Sequence, residues 1–171
     1  LRPDVLQGLE EAAAREENPR GKLVLEQLLE NSKVAHDDRV PLCQDTGTVW
    51  VCLELGRDDC SLATDPFTDV DAAVARAYEA GKLRKSTLRD ALVDRSNPGD
   101  NTPAFTELKF VEGRGAKLHL MLKGGGSDNA SVVEMLAPGA GWEGVRDVVL
   151  KRVAKKASSA CPPLVVGVGV G

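Results

Sequence analysis

Residues 49 to 55, Val-Trp-Val-Cys-Leu-Glu-Leu, alternate between two sides with a period of two. Such alternation among β-branched, aromatic and long apolar residues specifies a strand with one face buried. A single strand is not stable alone, so the rest of the chain has to supply partners and a covering layer. Directly ahead of it stands Pro41-Leu42-Cys43-Gln44-Asp45-Thr46-Gly47-Thr48, with a thiol, an amide, a carboxylate and two hydroxyls in six residues. Ordering so dense a polar cluster is costly unless its groups find partners. A loop entering a strand is also where functional side chains are often carried.

The partners are sought downstream. Phe105 to Val111 and Lys117 to Leu122 read as strands, and Glu112-Gly113-Arg114-Gly115 between them reads as a tight hairpin turn. A last strand is expected over 164–170, in a valine and glycine run. Helical spacing predicts helices over 3–16, over 22–32 after a turn at Asn18-Pro19-Arg20-Gly21, and over 69–81 with Gly81 at C′. Further helices are expected over 130–136, capped by Ser127 or Asp128, and over 142–157. Strands separated by helices of unequal length predict an α+β fold, with helices packed on a mixed or antiparallel sheet in one domain over 1–171. The start at Leu1, without Met, and the stop at Gly171 inside a valine and glycine run read as cuts, so a fragment or an isolated domain, one lobe of something larger, is expected.

Composition removes several function classes. The net charge of −4 and the lack of a basic stripe give no footprint for nucleic acid. No apolar stretch approaches the roughly 20 residues of a membrane span, and the start has no signal-peptide core. Four cysteines without a secretory segment point to reduced thiols and a cytoplasmic setting.

Among single residues, His36 beside Asp37 and Asp38 could be a ligand or a base but reads more readily as a surface loop residue, and His119 reads as a strand-face residue. Cys52 reads as a small buried hydrophobe and Cys60 as an incidental loop thiol. Arg84, just past a helix end, could clamp a carboxylate bidentately or simply be solvated. The polar run 94–103 is either a surface excursion or a site wall. Lys123-Gly124-Gly125-Gly126-Ser127-Asp128-Asn129 follows a strand and opens a helix, which suits backbone N–H groups to a small anion such as a carboxylate. It is neither a Walker loop nor a dinucleotide fingerprint. Cys161 precedes its own final run as Cys43 precedes the first strand, but the spacing of 118 residues is no zinc motif.

Four stretches in order, Pro41 to Thr48, Asn97 to Ala104, Lys123 to Asn129 and Cys161 to Gly169, resemble the N-terminal or α region of the iron–sulfur hydro-lyases. That family contains the class I fumarases and the α subunit of L-tartrate dehydratase. The resemblance implies a 4Fe–4S cluster on three thiolates, with Cys43 and Cys161 as two of them and the third cysteine without a counterpart in this chain. It implies Gln44, Asp45 and Arg84 as substrate-binding residues, Asp45 as catalytic, and Gly125 and Gly126 as backbone donors to the substrate. The reaction implied is reversible dehydration of a 2-hydroxy dicarboxylate, either malate/fumarate or L-tartrate/oxaloacetate. A C-terminal domain or β subunit and a homo-oligomer are implied as partners, with this chain inactive by itself. The other reading is a non-catalytic carboxylate-binding or subunit-assembly module, in which Cys43 is structural.

Overall fold

Pro19 opens the second helix instead of closing a turn. Asn18 caps it, with Oδ1 accepting from Arg20 N–H at 2.9 Å, and proline at the first helical position lacks only an N–H that would have no intrahelical partner. The structure, a computed structural model, describes residues 1–59, 62 and 64–171, so Cys60 lies outside the described residues. It forms two compact units, residues 1–43 with 129–171 and residues 44–128.

In the first unit α1 (Pro3–Arg15) and α2 (Pro19–Asp37) pack against each other. The expected turn at 18–21 is therefore a helix start. The second helix also runs past residue 32, so His36 sits in its last turn and not on a loop. Past that end, Asn31 Nδ2 reaches from α2 to donate to Leu42 O at 2.9 Å, which anchors the residue before Cys43.

The second unit holds the sheet. β1 (Thr48–Gly56) lies between β2 (Phe105–Val111) and β3 (Ala116–Lys123), parallel to β2 and antiparallel to β3. The sheet is mixed and the fold α+β, but the expected β2–β3 hairpin does not exist, because β1 occupies the place between them. The four-residue link instead passes the end of β1. Gly56 N–H donates to Gly115 O at 2.8 Å, and a Cβ on Gly56 would stand 2.3 Å from Gly113 O. Only glycine permits so close a backbone approach.

α3 (Val70–Ala80) covers the odd-numbered face of β1. Val49 and Val51 form the core with Val74 and Tyr78, and Phe67, Val70, Leu83 and Ala104 pack around them. Gly81 is the cap of α3 in a right-handed conformation, and the left-handed residue is Lys82, at φ 49°. The predicted C′ glycine is thus shifted by one position. On the opposite face Trp50 stacks on Phe105, with ring centres 4.5 Å apart.

α4 spans Gly125–Ala130, so the helix begins inside the glycine run and ends where the expected helix over 130–136 was to begin. The stop coincides with a contact from a residue distant in sequence. From α5 (Gly141–Lys156), Arg152 donates to the carbonyls of Ala130 at 2.7 Å, Asn129 at 2.9 Å and Ser131 at 3.0 Å. These are carbonyls that a continuing helix would turn toward its own next N–H groups. The expected strand over 164–170 is absent too. Val165, Val166, Val168 and Val170 are exposed there, and the glycines alternating with them offer no side chain to pack. No helix among the described residues is long and apolar enough to cross a membrane.

Candidate active site

Gly47 decides how the loop before β1 can run. Its φ is +56°, and a Cβ there would lie 1.8 Å from Lys123 O, so the loop is pressed against the end of β3 at a point only glycine allows. That contact brings Asp45 to the glycine run. Gly125 N–H donates to Asp45 Oδ1 at 3.1 Å and Gly126 N–H to Oδ2 at 3.0 Å. The Gly126 N–H, with Gly125 N–H and the charge of Arg84 adding to it, outweighs burial and holds the Asp45 carboxyl below its ordinary range. Asp45 is thus an ionised carboxylate with each of its oxygens accepting from a backbone N–H.

Three more bonds fix the loop. Thr46, buried, donates from Oγ1 to Arg84 O at 2.5 Å, and its own carbonyl accepts from the buried Tyr78 OH at 3.2 Å. Asn101, fully enclosed at 0 % exposure, donates from Nδ2 to Gly47 O at 2.9 Å. Its Oδ1 accepts from Ser86 N–H at 2.7 Å and Thr87 N–H at 3.1 Å. The Arg84 side chain is exposed and donates from Nε to Ser86 Oγ at 3.2 Å. Gln44 is exposed as well.

In the other unit Cys43 and Cys161 meet. Their Sγ atoms are 3.2 Å apart across 118 residues of sequence, well beyond the roughly 2.05 Å of a disulfide bond. Cys161 has φ +52°, an uncommon conformation for a residue bearing a Cβ, and Pro162 follows it.

A family model described as fumarate hydratase (Fumerase) matches residues 1–171. This chain belongs to the fumarate hydratase family. Among curated proteins it is 35% identical to a Methanocaldococcus jannaschii protein named "Putative L(+)-tartrate dehydratase subunit alpha", over 100% of this chain and 61% of that one. It is 29% identical to the L(+)-tartrate dehydratase subunit alpha of Escherichia coli strains UTI89 and K12, over 98% of this chain and 55% of theirs. The chain therefore spans between 55% and 61% of the length of these relatives.

On this fumarase-family chain the sequence candidates separate into two groups. Asp45, Arg84, Gly125 and Gly126 come together in the second unit, and Cys43 meets Cys161 in the first. Gln44 joins the two groups covalently, as the one residue between Cys43 and Asp45. Cys52 lies mid-strand, opposite His119 on β3 and Glu107 on β2, and His119 Nε2 pairs with Glu54 at 3.1 Å. His36 is exposed and pairs only with its neighbour Asp37 among the described residues.

Two adjacent thiols are the donor type that iron–sulfur clusters and soft metals select. The chemistry of Cys43 and Cys161 fits that group, while the described residues hold no cluster of three or more His, Cys, Asp or Glu that could bind a metal ion. The thiol pair can be part of such a ligand set and does not complete one.

Sequence reasoning passed over Asn101, Thr46 and Tyr78. For Asn101 a signal existed, since asparagine tolerates the left-handed conformation it adopts here at φ 63° and sits in a loop crowded with turn formers. Tyr78 stands on the α3 helix, and nothing local marks a hydroxyl that reaches Thr46.

Proposed function

We propose that this chain is the α region of a hydro-lyase that reversibly dehydrates a 2-hydroxy dicarboxylate, malate/fumarate or L-tartrate/oxaloacetate. The observation that carries the reading is the Asp45 carboxylate, held ionised on the N–H groups of Gly125 and Gly126 with the Arg84 charge nearby. The names of the relatives support the same reaction class, and the alpha subunit in those names supports a second, β-type partner.

Each residue then has a task. Arg84 binds one substrate carboxylate, for which a planar guanidinium is suited. Asp45 accepts a hydrogen bond from the substrate hydroxyl and so orients the C–O bond that breaks. The hydroxyl takes up a proton and leaves as water, and the C–H proton goes to a base that the C-terminal region or β-type partner would supply. Gly125 and Gly126 act by keeping Asp45 charged and aimed, and Gln44 binds the substrate beside them. Cys43 and Cys161 would hold two corners of a 4Fe–4S cluster, with a further ligand from outside the described residues. When bound, that cluster supplies Lewis-acid polarisation of the leaving hydroxyl. A reduced cytoplasmic compartment suits such thiols.

The carboxylate-binding module reading gains little from this geometry. The N–H groups it would offer to an external carboxylate already serve Asp45. The deciding experiment reconstitutes the full-length protein with its partner subunit under anaerobic iron and sulfide, then assays L-tartrate, malate and fumarate. Cluster absorbance with turnover of at least one diacid is expected. Turnover of none of the three would sink the reading.

A further inference from the structure

Asn101 makes three hydrogen bonds, and their ends are informative. Its Nδ2 goes to Gly47 O, two residues after Asp45. Its Oδ1 goes to the N–H groups of Ser86 and Thr87, two and three residues after Arg84. The amide orientation follows from these partners, because a flipped amide would face a donor with donors and a carbonyl with a carbonyl.

We propose that Asn101 is the positioning residue that sets the Asp45 loop against Arg84, and so fixes the geometry with which the site receives a 2-hydroxy diacid. This rests on the hydro-lyase reading above. At 0 % exposure Asn101 touches no substrate, so any effect it has on turnover passes through the two segments it joins.

Its own placement is over-determined, as a spacer requires. The Asn101 backbone stands at φ 63°. On one side Asp100 Oδ1 accepts from Thr102 N–H at 3.0 Å and from Thr102 Oγ1 at 2.8 Å. On the other, Asn97 Nδ2 donates to Lys85 O at 2.8 Å. The loop is thus tied to residues 85, 86 and 87 in succession. Thr46 Oγ1 on Arg84 O forms a second, direct strut between the same two segments. Two struts fix both separation and rotation, where the Thr46 bond alone would leave a pivot. A diacid has to meet an arginine and a carboxylate at once, and misplacement of a reacting group by about 1 Å can cost on the order of a hundredfold in rate.

A double-mutant cycle on the full-length enzyme tests this. Asn101→Gly keeps the left-handed backbone free of strain and removes both links. It is expected to lower kcat/KM by about thirty-fold, chiefly through a raised KM, with far-UV circular dichroism unchanged. In an Arg84→Ala background the same change is expected to cost no more than about three-fold, because its route through Arg84 is already gone. Losses that multiply fully in the double variant would make Asn101 merely structural and overturn the proposal. Should Asn101→Gly not fold, the cycle is run with Asn101→Asp, which keeps the acceptor for Ser86 and Thr87 and loses the donor to Gly47. The same non-additivity is required of it. Normal turnover by either folded variant overturns the positioning role alone. No turnover by the unmutated enzyme overturns the hydro-lyase reading, and the positioning role with it.

Discussion

Gly126 N–H donates to Asp45 Oδ2 at 3.0 Å, across 81 residues of sequence. The neighbouring bond from Gly125 N–H reaches the other oxygen, so the carboxylate is held by both of its atoms. Bonding of both oxygens fixes the plane of the group as well as its charge.

Replacing Asp45 by Asn leaves a single oxygen to accept and turns an NH2 toward one of the two N–H donors. Hydrogen bonds to a charged group contribute about 1.5–3 kcal/mol, so Asp45→Asn is expected to destabilise the protein by about 1–3 kcal/mol in urea titration. In the reconstituted enzyme it is expected to lower kcat by about a hundredfold or more, since the carboxylate that orients the leaving hydroxyl is gone. Unchanged kcat would remove Asp45 from the chemistry.

The glycines differ in what they tolerate. A Cβ on Gly124 would lie 2.9 Å from Asp45 Oδ2 and 3.1 Å from its Cγ, whereas a Cβ on Gly125 meets nothing nearer than Asp45 Oδ1 at 3.9 Å. Gly124→Ala is expected to push Asp45 off its donors and lower kcat/KM by about ten-fold or more, and Gly125→Ala to stay within about two-fold. Equal effects of the two would show that the cradle does not act through Asp45.

The thiol contact makes a covalent prediction. Diamide, which takes up the two thiol hydrogens as the sulfur–sulfur bond forms, is expected to link Cys43 to Cys161 in the cluster-free protein. Peptide mass mapping after digestion should find the cross-linked pair, lost in Cys43→Ser. Little movement is needed from a separation of 3.2 Å. Preferential pairing of either residue with Cys52 would contradict the arrangement.

How far this fold could be read in advance depended on whether the cause was local. The three sheet strands and the α1 and α3 helices follow from periodicity, and they lie within about two residues of expectation. The hairpin failed because alternation marks a strand without naming its partner, yet a parity argument would have exposed the error. A four-residue link pairing Val111 with Ala116 would set Leu108 opposite His119, mixing an apolar row with a polar one. With β1 inserted, Leu53 faces both Leu108 and Leu118, and the apolar rows share a face. The early stop of α4 depends on Arg152, more than twenty residues away, and no local signal reveals that. In the candidate site, the motif residues were legible because their types are unusual where they stand. Asn101 and Tyr78 were not, because their roles exist only once distant loops meet.

Tyr78 gives the pH-dependent prediction. Burial pushes its phenol above the usual tyrosine range, and its hydroxyl donates to Thr46 O at 3.2 Å. In the unfolded chain the phenol ionises near its ordinary value of about 10, while the folded protein keeps its proton to higher pH. Stability linked to this group is therefore fully present below about pH 10 and lost as pH rises through the folded value. Tyr78→Phe removes both the titration and the bond to Thr46. At pH 8 the variant is expected to be less stable by about 1 kcal/mol, the usual net value of one such hydrogen bond. Between about pH 9.5 and 11 the gap is expected to narrow, because only the unmutated protein loses this contribution. Other groups that titrate there are common to both proteins and cancel in the difference. A gap in unfolding free energy that stays constant or widens over that range would mean that Tyr78 is not held as a buried, protonated donor to the Asp45 loop.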